Sequence, residues 1–246
     1  MARSSTPPLR HRVALVTGAT RGIGLAIARA LAAEGCSLIL TGRDAKALER
    51  AGRELRRKAG KTQKVFSQPC DVRDPHSIDA LFRAIRGEFK RLDILINNAG
   101  ISHPSLSIEK LPYPVWKDVL ATNLDGMFLT TQAALVMMKR GGTIVNNLSV
   151  AAHRVFPGMG AYVASKHAAL GLTNALREEL RPRGIRVVGV LPGATDTDIW
   201  DSFWADAPRR KMMSAESVAE IVLAAILLPD NATAETIEIR PSVGTL

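Results

Sequence analysis

Hydrophobic positions along the chain follow two alternating rhythms. Short apolar runs rich in β-branched residues recur at Val13 to Val16, Ser37 to Thr41, Lys64 to Ser67, Leu92 to Ile96, Thr143 to Leu148, Ile185 to Leu191 and Thr236 to Ile239. Between them lie longer stretches with apolar residues every three or four positions, such as Ile78, Leu81, Phe82, Ile85 and Phe89. The first rhythm predicts strands buried on both faces, and the second predicts amphipathic helices. Helices are predicted at about 23–34, 44–58, 114–138, 160–180 and 215–228, with one more around Ile78–Phe89. Asp44 is placed to cap the second helix and Gly35 to end the first. Strands alternating with helices imply a parallel sheet covered on both sides, a doubly wound α/β fold in one domain. Residues 1–9 are expected to be a frayed, flexible tail, so that the domain spans 10–246.

Length and composition narrow the class. A chain of 246 residues with 46% apolar side chains can bury a large core and is neither disordered nor fibrous. Its two cysteines, Cys36 and Cys70, cannot make a disulfide framework, and no Cys/His spacing resembles a metal site. Both are expected to be small core residues in a reduced, cytoplasmic setting. The longest apolar run, Ile221 to Leu228, is far too short to span a bilayer, and the basic N-terminus lacks the apolar stretch of a signal peptide.

A net charge of +10 first suggests a nucleic-acid partner, but its distribution changes that picture. Residues 1–64 carry 14 Lys and Arg against 4 Asp and Glu, whereas residues 65–246 carry 19 of each. The excess lies wholly in the first quarter, where it calls for a small anionic partner or forms a solvated basic face. No nucleic-acid-binding motif accompanies it, and aromatics are few.

The first predicted strand ends in Thr17-Gly18-Ala19-Thr20-Arg21-Gly22-Ile23-Gly24 and opens directly into a helix. Glycines allow a tight turn and close approach to a pyrophosphate, whose charge the helix N-terminus favours. In such folds the tip of the second strand faces the adenosine ribose, and an acid there binds a 2′-hydroxyl. Here the tip reads Leu40-Thr41-Gly42-Arg43, with no acid. Arg43 and Arg21 suit a 2′-phosphate, although an exposed loop position is the plainer reading of Arg43.

Ser149 ends the fifth strand, and thirteen residues later a helix carries Tyr162 and Lys166 on one face. A neighbouring ammonium favours the phenolate and is expected to draw the tyrosine down towards useful proton-transfer chemistry. Ser149 is placed to hydrogen-bond the oxygen on which charge develops. In order along the chain come TGATRGIG, NNAG at Asn97 to Gly100, Asn123, Ser149, YVASK and Pro192-Gly193.

Over about residues 10–240 this series resembles the short-chain dehydrogenase/reductase family. The resemblance implies a Rossmann fold with a seven-stranded parallel sheet, usually in a homotetramer or homodimer. It implies Tyr162 as general acid/base, Lys166 on the nicotinamide ribose and Ser149 orienting the substrate oxygen. Asn123 would hold a relay water, or simply satisfy backbone groups. Gly18, Thr20, Arg21, Gly22, Ile23, Gly24 and Arg43 would bind the phosphates of NADP(H). Asp71 and Val72 would meet the adenine, with a turn or helix cap as the other use of Asp71. Asn98, Ala99 and Gly100 would line the cofactor, and Pro192, Gly193, Thr195 and Thr197 would flank its carboxamide. The implied activity is an NADP(H)-dependent interconversion of a carbonyl and a secondary alcohol, on a small-molecule substrate without metal or membrane. An NAD-preferring dehydrogenase and a catalytically idle NADP-binding scaffold are the alternatives.

Two departures mark the C-terminal part. The last strand, Glu235 to Pro241, lacks the Gly-Gly that often follows it in acyl reductases of this family. The expected substrate loop, about 196–213, gathers Trp200, Phe203 and Trp204, three of the eleven aromatics. They would form an apolar lid, a packed helix face or a subunit contact.

Overall fold

The computed structural model describes residues 8–244. Seven parallel strands form one sheet: β1 (Val13–Thr17), β2 (Ser37–Thr41), β3 (Val65–Ser67), β4 (Leu92–Asn97), β5 (Met138–Asn147), β6 (Arg186–Pro192) and β7 (Thr236–Ile239). Their spatial order is β3-β2-β1-β4-β5-β6-β7. The helices are α1 (Gly22–Ala33), α2 (Ala45–Lys58), α3 (Pro75–Glu88), α4 (Tyr113–Leu120), α5 (Gly126–Leu135), α6 (Gly160–Leu180) and α7 (Ala215–Ile226). The expected doubly wound architecture is therefore the observed one.

The strands sort their side chains by parity. Ala14, Val16, Leu38, Leu40, Ile94 and Ile96 point into a core shared with α1 and α7. Val13, Leu15, Ile39, Leu95 and Ile144 point the other way, onto Ile78, Leu81, Phe82 and Ile85 of α3. Every residue of β1 and β2 is buried, as a sheet sandwiched between helix layers requires. Cys36 and Cys70 are buried within these two cores.

The chain winds outward from β1 through β2 to β3, then returns to place β4 on the other side of β1. This reversal leaves a crevice at the carboxyl ends of β1 and β4, where ligands of open α/β sheets bind. The opposite end of the same pair is held by Asp93, only 2% exposed. Its carboxylate accepts from Val13 N at 2.9 Å and Arg12 at 3.1 Å, and also from Arg91.

Three boundaries differ from the sequence expectation. The long helix predicted at 114–138 is broken by a π-turn at Ala121–Asp125 and ends at Leu135. Val136 and Met137 turn, and Met138 already belongs to the next strand, because it pairs with Leu92 and a register shift then carries pairing on to Thr143. Gly141, at φ +83°, makes the intervening bend. The helix predicted at 215–228 ends at Ile226, shortly before Pro229. Residues 1–7 of the expected tail lie outside the described residues, while Leu9 is buried and its N–H bonds Glu34 O at 3.0 Å.

Candidate active site

A cleft of about 1440 Å³ opens along the carboxyl ends of the strands. Its floor is a hydrogen-bonded network joining β1, β4 and β5. Thr17 Oγ1 accepts from the backbone N–H groups of Asn98 and Ala99, at 2.9 and 3.0 Å. Asn98 Nδ2 donates back to Thr17 O at 2.9 Å and Gly18 O at 3.2 Å. Asn147 Nδ2 donates to Asn98 Oδ1 at 2.8 Å. Deeper still, Asn97 Nδ2 donates to Thr131 Oγ1 and Asn146 Oδ1, and Asn146 Nδ2 to Thr173 Oγ1, each at 2.9 Å.

The glycine-rich turn sits on this floor. Gly18 and Gly22 adopt φ of +63° and +53°, a region that side chains rarely enter. A Cβ on Gly24 would lie 2.4 Å from both Asn98 Nδ2 and Gly18 O, so only glycine fits there. α1 has neither a side-chain cap nor an acid in its first turn. Its N-terminal amides thus face the cleft without a protein carboxylate to answer them, an arrangement suited to a phosphate.

The catalytic candidates meet at the cleft's other end. The Ser149 hydroxyl stands close enough to the Tyr162 phenol to draw it downwards. Ser149 Oγ also accepts from Ala151 N at 3.1 Å, which fixes its rotamer at the end of β5. Lys166 Nζ lies 5.6 Å from the Tyr162 ring centroid and donates to Asn147 O at 3.3 Å. Burial dominates the electrostatics of both. It pushes the Tyr162 phenol up, against the opposing pull of the Ser149 hydrogen bond. It pushes the Lys166 ammonium down to about 8. The downward pull of Lys166 on Tyr162 that their spacing leads one to expect does not contribute here; burial decides the direction.

Nearly all the residues singled out in the sequence line this one cleft. The exceptions are Gly24, which packs beneath the turn, and Asn123. Asn123 lies on the π-turn, and its side chain is committed to protein partners. It accepts from Ile101 N at 2.8 Å and donates to Ile101 O at 2.9 Å and Ser165 Oγ at 3.0 Å. Asp71 reaches the cleft with its carboxylate already held by Arg73, 2.6 Å from Nη2, which keeps it below the usual carboxylate range. Arg21 reaches across to Asp198 at 3.2 Å.

Residues 12–208 match the short chain dehydrogenase family. The chain belongs to the short-chain dehydrogenase/reductase family. A 3β-hydroxysteroid dehydrogenase of Mediterraneibacter gnavus is 36% identical over 201 residues, 81% of this chain and 72% of that one. An alcohol dehydrogenase from the archaeon Thermococcus sibiricus, complexed with 5-hydroxy-NADP, superposes with a TM-score of 0.87 at 31% identity over 95% of this chain and 97% of that one. A short-chain dehydrogenase from Burkholderia cenocepacia, in complex with NADP, does so at 0.85 and 34% identity, over 94% and 97%.

Within this short-chain dehydrogenase/reductase the structure adds residues that the sequence reading passed over. Arg50 lines the cleft beside Arg43, one helical turn beyond Ala47, and this i, i+3 spacing on α2 is the signal that would have found it. Asn147 was read only as a strand residue, yet it touches both Asn98 and Lys166. Arg209 clamps the substrate loop through Asp196, Thr197 O and Asp201, at 3.1, 2.6 and 2.6 Å. Asp196 N and Met213 O bond at 2.8 Å and close that loop. Trp200, Phe203 and Trp204 form one aromatic cluster on it, with centroids 4.9 and 5.9 Å from Trp200. Some of the basic residues of α2 face the acids of the same helix. Arg53 and Arg56 face Glu49, and Lys58 faces Glu54. Among the described residues no cluster of His, Cys, Asp and Glu could hold a metal ion, and no helix is long and apolar enough to cross a membrane.

Lys166 makes the unliganded protein pay at neutral pH. Its folded value of about 8 lies below the ordinary 10.5, so below pH 8 both states bind the proton and the folded state bears the full penalty. Stability from this group rises between pH 8 and 10.5, where only the unfolded chain stays protonated. Lys166→Met is therefore expected to stabilise the apoprotein at pH 7 by up to about 3 kcal/mol. Urea denaturation at pH 7 and 10 checks this; a variant less stable than wild type at pH 7 contradicts it.

Proposed function

We propose that the protein is an NADP(H)-dependent oxidoreductase that interconverts a carbonyl compound and a secondary alcohol. The observation that carries this reading is the meeting of Ser149, Tyr162 and the Lys166 ammonium on the wall of one cleft, which begins at the uncapped turn of α1. Arg21, Arg43 and Arg50 line the adenosine end, and no acid stands at the tip of β2 to prefer a 2′-hydroxyl.

When bound, the nicotinamide supplies or accepts the hydride. The chain's residues do the rest. Ser149 holds the substrate oxygen by donating its hydroxyl proton, which leaves Tyr162 facing the same oxygen. Tyr162, protonated at neutral pH because burial raises it, gives its proton to that oxygen during reduction and takes it back during oxidation. Lys166 places positive charge where negative charge develops and holds the nicotinamide ribose. Asn123 pins the loop at Ile101 to α6 through Ser165, so it positions the cleft wall; its side chain has no donor left for a relay water. Asp71 and Val72 flank the adenine, Asn98, Ala99 and Gly100 the cofactor's middle, and Pro192, Gly193, Thr195 and Thr197 its carboxamide. The protein works as a homodimer or homotetramer in the cytoplasm, with exposed Phe128 on α5 and Val136 just beyond it covered by a second copy.

Tyr162→Phe is expected to abolish NADPH oxidation with every carbonyl compound accepted by the wild type, while NADPH fluorescence titration shows binding retained. Near-normal turnover would remove Tyr162 from this role. Arg43→Ala and Arg50→Ala should each weaken NADPH by roughly tenfold or more, the worth of one charge-assisted contact, and leave NADH nearly unchanged. Equal losses for both cofactors would refute the phosphate contact. Light scattering should give a mass of two or four chains, and a monomer at micromolar concentration would contradict the assembly.

A further inference from the structure

The glycine-rich turn and the loop at 196–213 touch across the mouth of the cleft. A Cβ on Gly22 would lie 3.2 Å from Thr197 Cγ2, so the two segments approach about as closely as a glycine allows. Arg21 precedes Gly22 and Asp198 follows Thr197, and their side chains form an ion pair, Nη1 to Oδ2 at 3.2 Å. All four residues line the cleft. The neighbouring acids of the loop are used differently. Asp196 and Asp201 both turn to Arg209, which braces the loop on itself. Asp198 spans the gap instead, and it opens the short helical turn Asp198–Ser202 that carries Trp200.

This pair differs from the other carboxylate contacts in the cleft. Asp44 accepts from Ala47 N at the start of α2, and Asp71 is held by Arg73. The partner of Asp198 is a residue placed to meet the cofactor. The two side chains are 75% and 58% exposed, so water screens their attraction and the pair breaks readily. A phosphate carries more charge than a carboxylate and matches the planar guanidinium fork equally well. Arg21 cannot serve both without bringing the carboxylate and the phosphate together, and like charges repel.

We propose that Asp198 is a specificity-determining residue that acts through Arg21: its carboxylate competes with the 2′-phosphate of NADP(H) for that guanidinium, so that the loop at 196–213 moderates the preference for NADP(H) over NAD(H). The inference rests on the reductase reading above, in which Arg21 meets that phosphate. Binding of NADPH draws Arg21 from Asp198 and unties the loop from the turn. NADH carries a hydroxyl in place of the phosphate and leaves the pair intact. Coupling of this kind is reciprocal, so weakening the pair tightens NADPH.

Fluorescence titrations of the full chain with NADPH and with NADH test this. Asp198→Asn removes the charge and keeps the size of the side chain. Its ratio of NADH to NADPH dissociation constants is expected to rise about two- to fivefold above wild type, the scale of one exposed ion pair, through tighter NADPH alone. Asp198→Glu should return the ratio most of the way to wild type. In an Arg21→Ala background there is no guanidinium to compete for, and adding Asp198→Asn should leave the ratio unchanged. A ratio that stays level or falls in Asp198→Asn, a gain shared equally by both cofactors, or a gain that persists without Arg21 overturns the proposal. NADH titration also serves as the control for folding, since NADH uses the same turn without the phosphate; a variant that loses NADH as well counts against the proposal. A wild type that fails to bind NADPH, or turnover that survives Tyr162→Phe, overturns the reductase reading and this inference with it. Normal NADPH binding with a flat ratio across the Asp198 variants overturns this inference alone.

Discussion

The exchange of hydrogen bonds between Thr17 and Asn98 is the constraint on which the site depends. One threonine hydroxyl takes two backbone N–H groups at the end of β4, and one asparagine amide returns two bonds to the end of β1. The pair closes the reversal point of the sheet, where parallel strands would otherwise splay and expose polar backbone. Everything above it inherits its position. Gly24 must lack a side chain because Asn98 occupies that space, and Asn147 reaches Asn98 only because β5 is registered against β4. Through the Asn147 carbonyl the same network extends to Lys166.

The end of the cleft that holds Tyr162 and Lys166 is arranged against its own electrostatic preference. A buried ammonium and a buried phenol both shift towards their neutral forms, and the unliganded cleft supplies only partial compensation. Such an arrangement costs stability, which the two cores on either side of the sheet offset. The loop at 196–213 is organised differently. Its order comes from Arg209 and from a backbone bridge between Thr195 and Met213, which keep the aromatic cluster over the cleft without burying it in either core.

Much of this was legible in the residues. Strand and helix positions followed from two apolar periods, and α2, α6 and β7 were placed to within a residue or so, with the Asp44 cap marking the start of α2. The family motifs brought nearly every expected residue into one cleft. What failed to show has physical reasons. The run from Ala133 to Met138 is apolar throughout, so periodicity could not tell the end of α5 from the start of β5; the pairing of Met138 with Leu92 decides it. The clamp of Asn123 on Ile101 joins it to a loop 22 residues away, a contact that no local pattern announces. Arg50 was hidden among equally basic neighbours on α2, most of which turn to Glu49 and Glu54 instead. The burial that raises Tyr162 is a three-dimensional quantity that i, i+4 spacing alone does not contain.

The order of the strands also governs when the site can come into being. Thr17 and Asn98 are 81 positions apart, Asn98 and Asn147 another 49, and neither contact can form until a whole crossover helix has been laid down between its partners. Contacts of such long sequence separation carry a large loop-closure cost and are slow to form. A chain emerging from synthesis would have its phosphate turn tens of residues before the asparagine that supports it. Ligand affinity in this fold is then a late acquisition, absent from any partly folded species that lacks β4 and β5, and a bound dinucleotide would hold together the very junction that closes last.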